Sequence, residues 1–368
     1  MAVEMSHSDS SSASPDRQIA SSAPPDLFLV VSGLDVPRHG EALERLLDGL
    51  DGHFSAARER FPRHRLSTRQ GEGVGQATID YERNDGTAQR LEIRELAWTD
   101  LRPSLKDVSV YIRLWRGAYL SAYWLGPLLF RSFPKGSRSL RWWLLVGFSS
   151  AVFWYLLVAV AAVSLLRSDI HSLVPTSEHV AMAAQAHQGW ASSLIASLTR
   201  PEFLWTAVVA MLGFKPLVDN IDLSWSAYSF IVDRDLLRRK LRLRLRGMLS
   251  HVEMEADRYR RIVVVAHSFG CAVAADALGA FEQDGTPIPP LELITLGGPL
   301  EFFCRRNRSM QDIVENCVTA DDVTSWSDFY APEDAFCSRV PLREGANGKF
   351  RSRRVTLGYS AFQSARAS

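Results

Sequence analysis

The sequence predicts an α/β fold, a mostly parallel sheet interrupted by a helical transmembrane insertion. Three observations carry that expectation. "DLFLVVSGL" (26–34) and "RIVVVA" (261–266) are short apolar runs of the kind that form strands buried on both faces. "WWLLVGFSSAVFWYLLVAVAAVSLL" (142–166) holds no charged residue over 25 positions. A helix of that length, rising ~1.5 Å per residue, would cross a hydrocarbon layer of ~30 Å.

The elements follow in chain order. Residues 1–26, rich in Ser, Ala, Pro and Asp and without an apolar run, read as a disordered tail, and they contain no signal-peptide pattern. Residues 27–130 form the first part of the sheet domain. In it "EALERLLDGLDGHF" repeats Leu43, Leu46, Leu47 and Leu50 at helical spacing, and "NDG" (84–86) separates two strand-like stretches as a hairpin turn. Residues 131–220 form the expected insertion, with one span at 142–166 and a second at about 200–218. Strands on one side of a bilayer require an even number of crossings. Arg131, Lys135, Arg138 and Arg141 precede the first span, which places the flanking domain on the cytoplasmic side of a two-span protein. Residues 221–368 complete the domain. Their helix "VDRDLLRRKLRLRLRGMLSHVEME" aligns Leu237, Leu241, Leu245, Met248 and Val252 on one stripe, with a basic face suited to solvent or to anionic lipid.

Composition excludes some classes. The 368-residue chain has 42 Lys and Arg against 41 Asp and Glu, a net charge of +1, which gives no electrostatic case for nucleic-acid binding. Cys271, Cys304, Cys317 and Cys337 show no CxxC pair or metal spacing and read as buried thiols. No metal or cofactor is expected. Transport is disfavoured, since the apolar runs offer no ionisable pathway.

The chemistry lies in "VVVAHSFGCAVAADAL" (263–278), a strand, a tight turn and a small-residue helix start. A serine on such a turn presents its hydroxyl outward, and the amide of the following residue, Phe269, faces a developing oxyanion. Ser268 is therefore the candidate nucleophile. Gly270 suits the close approach of strand and helix, while Ala266 stands where such turns usually have a glycine. The bland alternative is a strand-to-helix turn with a capping serine.

Together with "LITLGGPL" (293–300) and "WSDFYAPEDAF" (326–336), this motif resembles the α/β-hydrolase superfamily, in particular its lipase-like, membrane-associated members. The resemblance implies that Asp334 is the acid of a catalytic triad. It also implies that the loop after the first strand supplies further oxyanion amides at Gly33 and Leu34, although Ser32 and Asp35 depart from the family's pattern there. A triad in this order needs a histidine after the acid, and none follows Asp334. Three explanations stand: a chain whose natural end lies further on, a scaffold without catalysis, or a substitute base. His39, in the loop after the first strand, is the candidate substitute; His267 points away from the nucleophile. The expected function is a membrane-anchored serine hydrolase cleaving acyl esters, with the bilayer and an acyl-ester or lipid substrate as partners. The alternative is an inactive, hydrolase-like membrane scaffold.

Overall fold

The computed structural model describes residues 23–34, 40–71, 74–96, 98–101, 108–130, 149, 152, 155–156, 215–233, 236–280, 290–332, 334 and 337–356. Eight strands form one sheet: β1 (Asp26–Val31), β2 (Arg63–Gly71), β3 (Val74–Glu82), β4 (Ala88–Leu96), β5 (Arg261–His267), β6 (Leu291–Leu296), β7 (Val323–Tyr330) and β8 (Phe350–Arg354). Their order is β2-β3-β4-β1-β5-β6-β7-β8. The sheet is mixed. Strands β2, β3 and β4 form an antiparallel meander, whereas β4, β1, β5, β6, β7 and β8 run parallel.

β1 and β5 lie far apart in the chain and are neighbours in the sheet, with Val31 opposite Ala266. Their apolar runs leave no polar face, so both must be covered by other elements. Among the described residues the helices are α1 (Glu41–Ala56), α2 (Val110–Phe130), α3 (Lys215–Ile231), α4 (Leu237–Met254), α5 (Gly270–Gly279), α6 (Leu300–Arg306) and α7 (Arg308–Thr319). α1 packs Leu43, Leu47 and Phe54 on one face of the sheet, against Val30, Ile79 and Ile93. The main core lies on the other face, where Leu27, Leu29, Val31 and Val264 meet residues of α4, α5 and α7. α4 buries Leu237, Leu241, Leu245, Leu249 and Val252. Leu249 thus replaces Met248 in the expected stripe, and Met248 is left half-buried at its edge.

The turn between β3 and β4 uses Gly86 at φ 79°, with the Asp85 carboxylate accepting from the Thr87 amide at 2.9 Å. Hydrogen bonding by Thr87, its side chain foremost and its amide next, holds the exposed Asp85 carboxyl below its usual range.

The fold class needs one correction and the localisation another. Beyond the sheet's being mixed, no helix among the described residues is long and apolar enough to cross a membrane. The transmembrane insertion and the two-span membrane localisation are therefore withdrawn. The expected spans at 142–166 and 200–218 lie outside the described residues, apart from Ser149, Val152, Tyr155, Leu156 and residues 215–218. Tyr155, inside the longer run, is half-buried beside α2. A Cβ built on Gly117 of α2 would stand 2.5 Å from its hydroxyl and 2.8 Å from Ile221 of α3. α2 itself is docked by polar contacts, Tyr119 to Tyr228 at 2.8 Å and Arg113 to Asp222 at 3.9 Å.

Candidate functional site

The order of the strands makes a crevice before any side chain is considered. From β1 the chain turns towards β4; from β5 it turns towards β6. Connections leaving two adjacent parallel strands in opposite directions open a cleft at the carboxyl ends of those strands. Ser32, Gly33 and Leu34 follow β1, and Ser268 follows β5, so both segments stand at that switch point.

Ser268 is held in the left-handed region at φ 54°, which an L-residue adopts at a cost of about 1–2 kcal/mol. Its amide donates to the Leu296 carbonyl at 2.9 Å, and its carbonyl accepts from the Cys271 amide at 3.1 Å. The bent backbone is thereby tied to β6 on one side and to α5 on the other. Ser268 is half-buried, and its Oγ makes no hydrogen bond among the described residues. The amides of Phe269 and Gly270 precede the first internal bonds of α5 and donate to no described group. Two unpaired donors at a helix start beside a hydroxyl are suited to hold negative charge.

The rest of the elbow is packed to keep this shape. The Phe269 ring is 2% exposed, with its centroid 5.0 Å from Phe230, 5.7 Å from Trp98 and 6.0 Å from Phe303. Trp98 also donates its indole N–H to the Ser32 carbonyl at 3.1 Å, fixing the start of the loop after β1. Beneath the turn, the Cys271 thiol points to the Ala266 carbonyl at 3.3 Å, and burial pushes its pKa far up. It is a packed thiol rather than a nucleophile.

The other expected site residues are less closely gathered. Gly33 and Leu34 are buried at the end of β1, with the Leu34 side chain in the main core. Asp35 and His39 lie outside the described residues. Asp334 is exposed on the turn after β7, its amide bonded to the Ala331 carbonyl at 3.1 Å. After β7, Ser338 is latched beside the elbow, its amide on the Gly298 carbonyl at 3.1 Å, and the Ala331 amide donates to the Cys337 sulfur at 3.0 Å. His267 is exposed at the end of β5. Among the described residues no histidine is bonded to Ser268, and no cluster of His, Cys, Asp or Glu could hold a metal ion.

No protein-family model, curated protein or solved structure matches this chain. The reading of the site therefore rests on its own geometry.

One acid escaped the sequence reading. Asp328 on β7 is 1% exposed and accepts from the Thr295 hydroxyl at 2.9 Å, the Val340 amide at 3.1 Å and the Ser352 hydroxyl at 3.1 Å. Thr295 in turn accepts from the Trp326 indole at 3.0 Å. Burial raises the Asp328 pKa against the pull of these bonds. The network joins β6, β7 and β8 and pins the far end of the loop that carries Asp334. The signal was present in "WSDFY": strand alternation puts Asp328 on the same face as the buried Trp326.

Proposed function

We propose that this chain is a serine hydrolase acting on acyl esters, with Ser268 as the nucleophile. The observation that carries the reading is the left-handed Ser268, at the switch point of the sheet, beside Phe269 and Gly270 amides that have no partner among the described residues. In this reading Oγ attacks the ester carbonyl carbon and the alcohol leaves. The carbonyl oxygen takes up negative charge against the two amides, and water then releases the acid from the acyl-serine. Asp334, on the latched loop after β7, is the proposed orienting acid. Asp328 is a positioning residue, because all its hydrogen-bonding contacts are internal to the scaffold. The proton on Oγ needs an acceptor, and His39 is the side chain proposed for it.

A second reading rests on one observation: Ser268 Oγ has no base among the described residues. It makes the chain a hydrolase-like scaffold that binds without catalysis. Labelling with a fluorophosphonate probe separates the two. The hydrolase reading expects labelling that disappears in Ser268→Ala and falls sharply in His39→Ala. A folded wild-type chain that takes up no probe overturns it in favour of the scaffold.

A further inference from the structure

A second concave site lies apart from the elbow, on the outer side of α4. It is a cleft of about 670 Å3 between that helix and the carboxyl end of β4. Its apolar surface comes from Leu96 and Leu101 on the sheet side and from Leu243 and Met248 on the helix. Leu243 is 55% exposed, unusual for a leucine on a helix that buries five other aliphatic residues. Lys240, Arg244, His251 and Arg94 also line it. Arg94 is bound by Glu255 at 2.9 Å and Arg244 by Asp100 at 2.9 Å, whereas Lys240 has no ion-pair partner among the described residues. Glu95 also borders the cleft, but its carboxylate turns to the opposite face of the sheet, 3.5 Å from where a Cβ on Gly75 would lie.

Gly247 supplies the second observation. It sits inside the 18-residue α4, where glycine costs about 1 kcal/mol relative to alanine. No close approach demands it: a Cβ built there meets nothing within 4 Å. Gly247 lines the cleft, so a larger side chain at this position would enter it. The open wall at Gly247 lies beside an exposed leucine and an ammonium with no ion-pair partner among the described residues, an apolar cleft with a cationic edge.

We propose that this cleft binds a single-chain amphiphile with an anionic head group, of which a fatty carboxylate is the simplest case. The alkyl chain lies over Gly247 against Leu96, Leu101, Leu243 and Met248, and the head group meets Lys240 at the rim. The proposal goes beyond the hydrolase reading and does not use Ser268.

Isothermal titration of the full-length chain with dodecanoate, below its micelle concentration, tests it. Dodecanol and dodecyltrimethylammonium serve as comparators. The expected result is saturable binding of one dodecanoate, with both comparators weaker by about tenfold or more. Gly247→Leu fills the cleft with a better helix former, so it abolishes binding while keeping or raising the melting temperature. Lys240→Glu weakens dodecanoate about tenfold but not dodecyltrimethylammonium. Ser268→Ala binds dodecanoate like the wild type, which separates this site from the elbow. Absence of saturable binding, unchanged affinity in a folded Gly247→Leu, or equal affinity for dodecanol overturns the proposal. Should Gly247→Leu fail to accumulate, Lys240→Glu decides alone.

Discussion

The Cβ that Gly270 lacks would lie 2.3 Å from the carbonyl oxygen of Val31. The start of α5 and the end of β1 therefore meet backbone to backbone, and the distance between the two halves of the crevice is set by this contact. Ser32 stands behind it, with its carbonyl 2.7 Å from the same point.

Gly270→Ala should accordingly be among the most damaging small substitutions in the chain. Neither obstructing atom belongs to a flexible side chain, so the helix start must move off β1. Overpacking of this kind costs about 1–3 kcal/mol. Urea unfolding should show that loss, and probe labelling at Ser268 should fall even in the fraction that stays folded. Stability equal to wild type would mean that the contact is looser than its geometry implies.

Ser268→Gly should shift stability the other way. The left-handed backbone costs serine about 1–2 kcal/mol, and glycine adopts it freely. Glycine's greater freedom in the unfolded chain takes back about 0.5–1 kcal/mol. The net expectation is a gain of up to about 1 kcal/mol in urea unfolding, against no gain for Ser268→Ala. A destabilised Ser268→Gly would show that the turn is not strained.

Much of this site is legible in the sequence because its signals are local. The valines of β5, the small residues of α5 and the turn between them lie within one stretch, and Gly270 is required by a contact that such a turn always brings. β2 is different: in "RHRLSTRQG" only Leu66 among the aliphatic residues packs on the α1 side, since edge strands carry charge that masks their period. The β3–β4 hairpin is legible from its NDG turn, whereas the third antiparallel strand, β2, is hidden. The apolar run at 142–166 lies almost wholly outside the described residues; within it the Tyr155 hydroxyl packs against Gly117. Buried acids are the hardest to foresee. Asp276 and Asp328 take their roles from partners far away in the chain.

Asp276 makes the point in energetic terms. It is 1% exposed on α5 and accepts from Arg238 at 2.8 Å and from Arg242 at 2.8 Å and 3.1 Å, both on α4. Removing a buried partner leaves the remaining charges uncompensated, at a cost of about 3–5 kcal/mol. Asp276→Ala should lose that much in urea unfolding, and Arg238→Gln in the same background should restore part of it. Full additivity of the two substitutions would deny the coupling.

The buried carboxyl of Asp328 makes stability depend on pH in a direction opposite to that of a salt-bridged acid. Burial outweighs its three hydrogen bonds and holds its pKa above an aspartate's ordinary value. The folded protein therefore retains a proton there that the unfolded chain releases at about pH 3.9. As the pH rises through that value towards the folded protein's own titration, the unfolded chain is increasingly favoured, and the loss is complete once both forms are ionised. Asp328→Asn removes this term. Its carbonyl oxygen can face the Val340 amide and the Ser352 hydroxyl while its amide group faces Thr295, so the network keeps its shape. The measurement is urea unfolding of both proteins from about pH 3 to about pH 7, compared as a difference. Wild-type stability relative to Asp328→Asn should decline across the window, with the steepest fall above the ordinary aspartate value. A difference that stays flat or grows with pH would show that the hydrogen bonds, and not burial, govern this carboxyl.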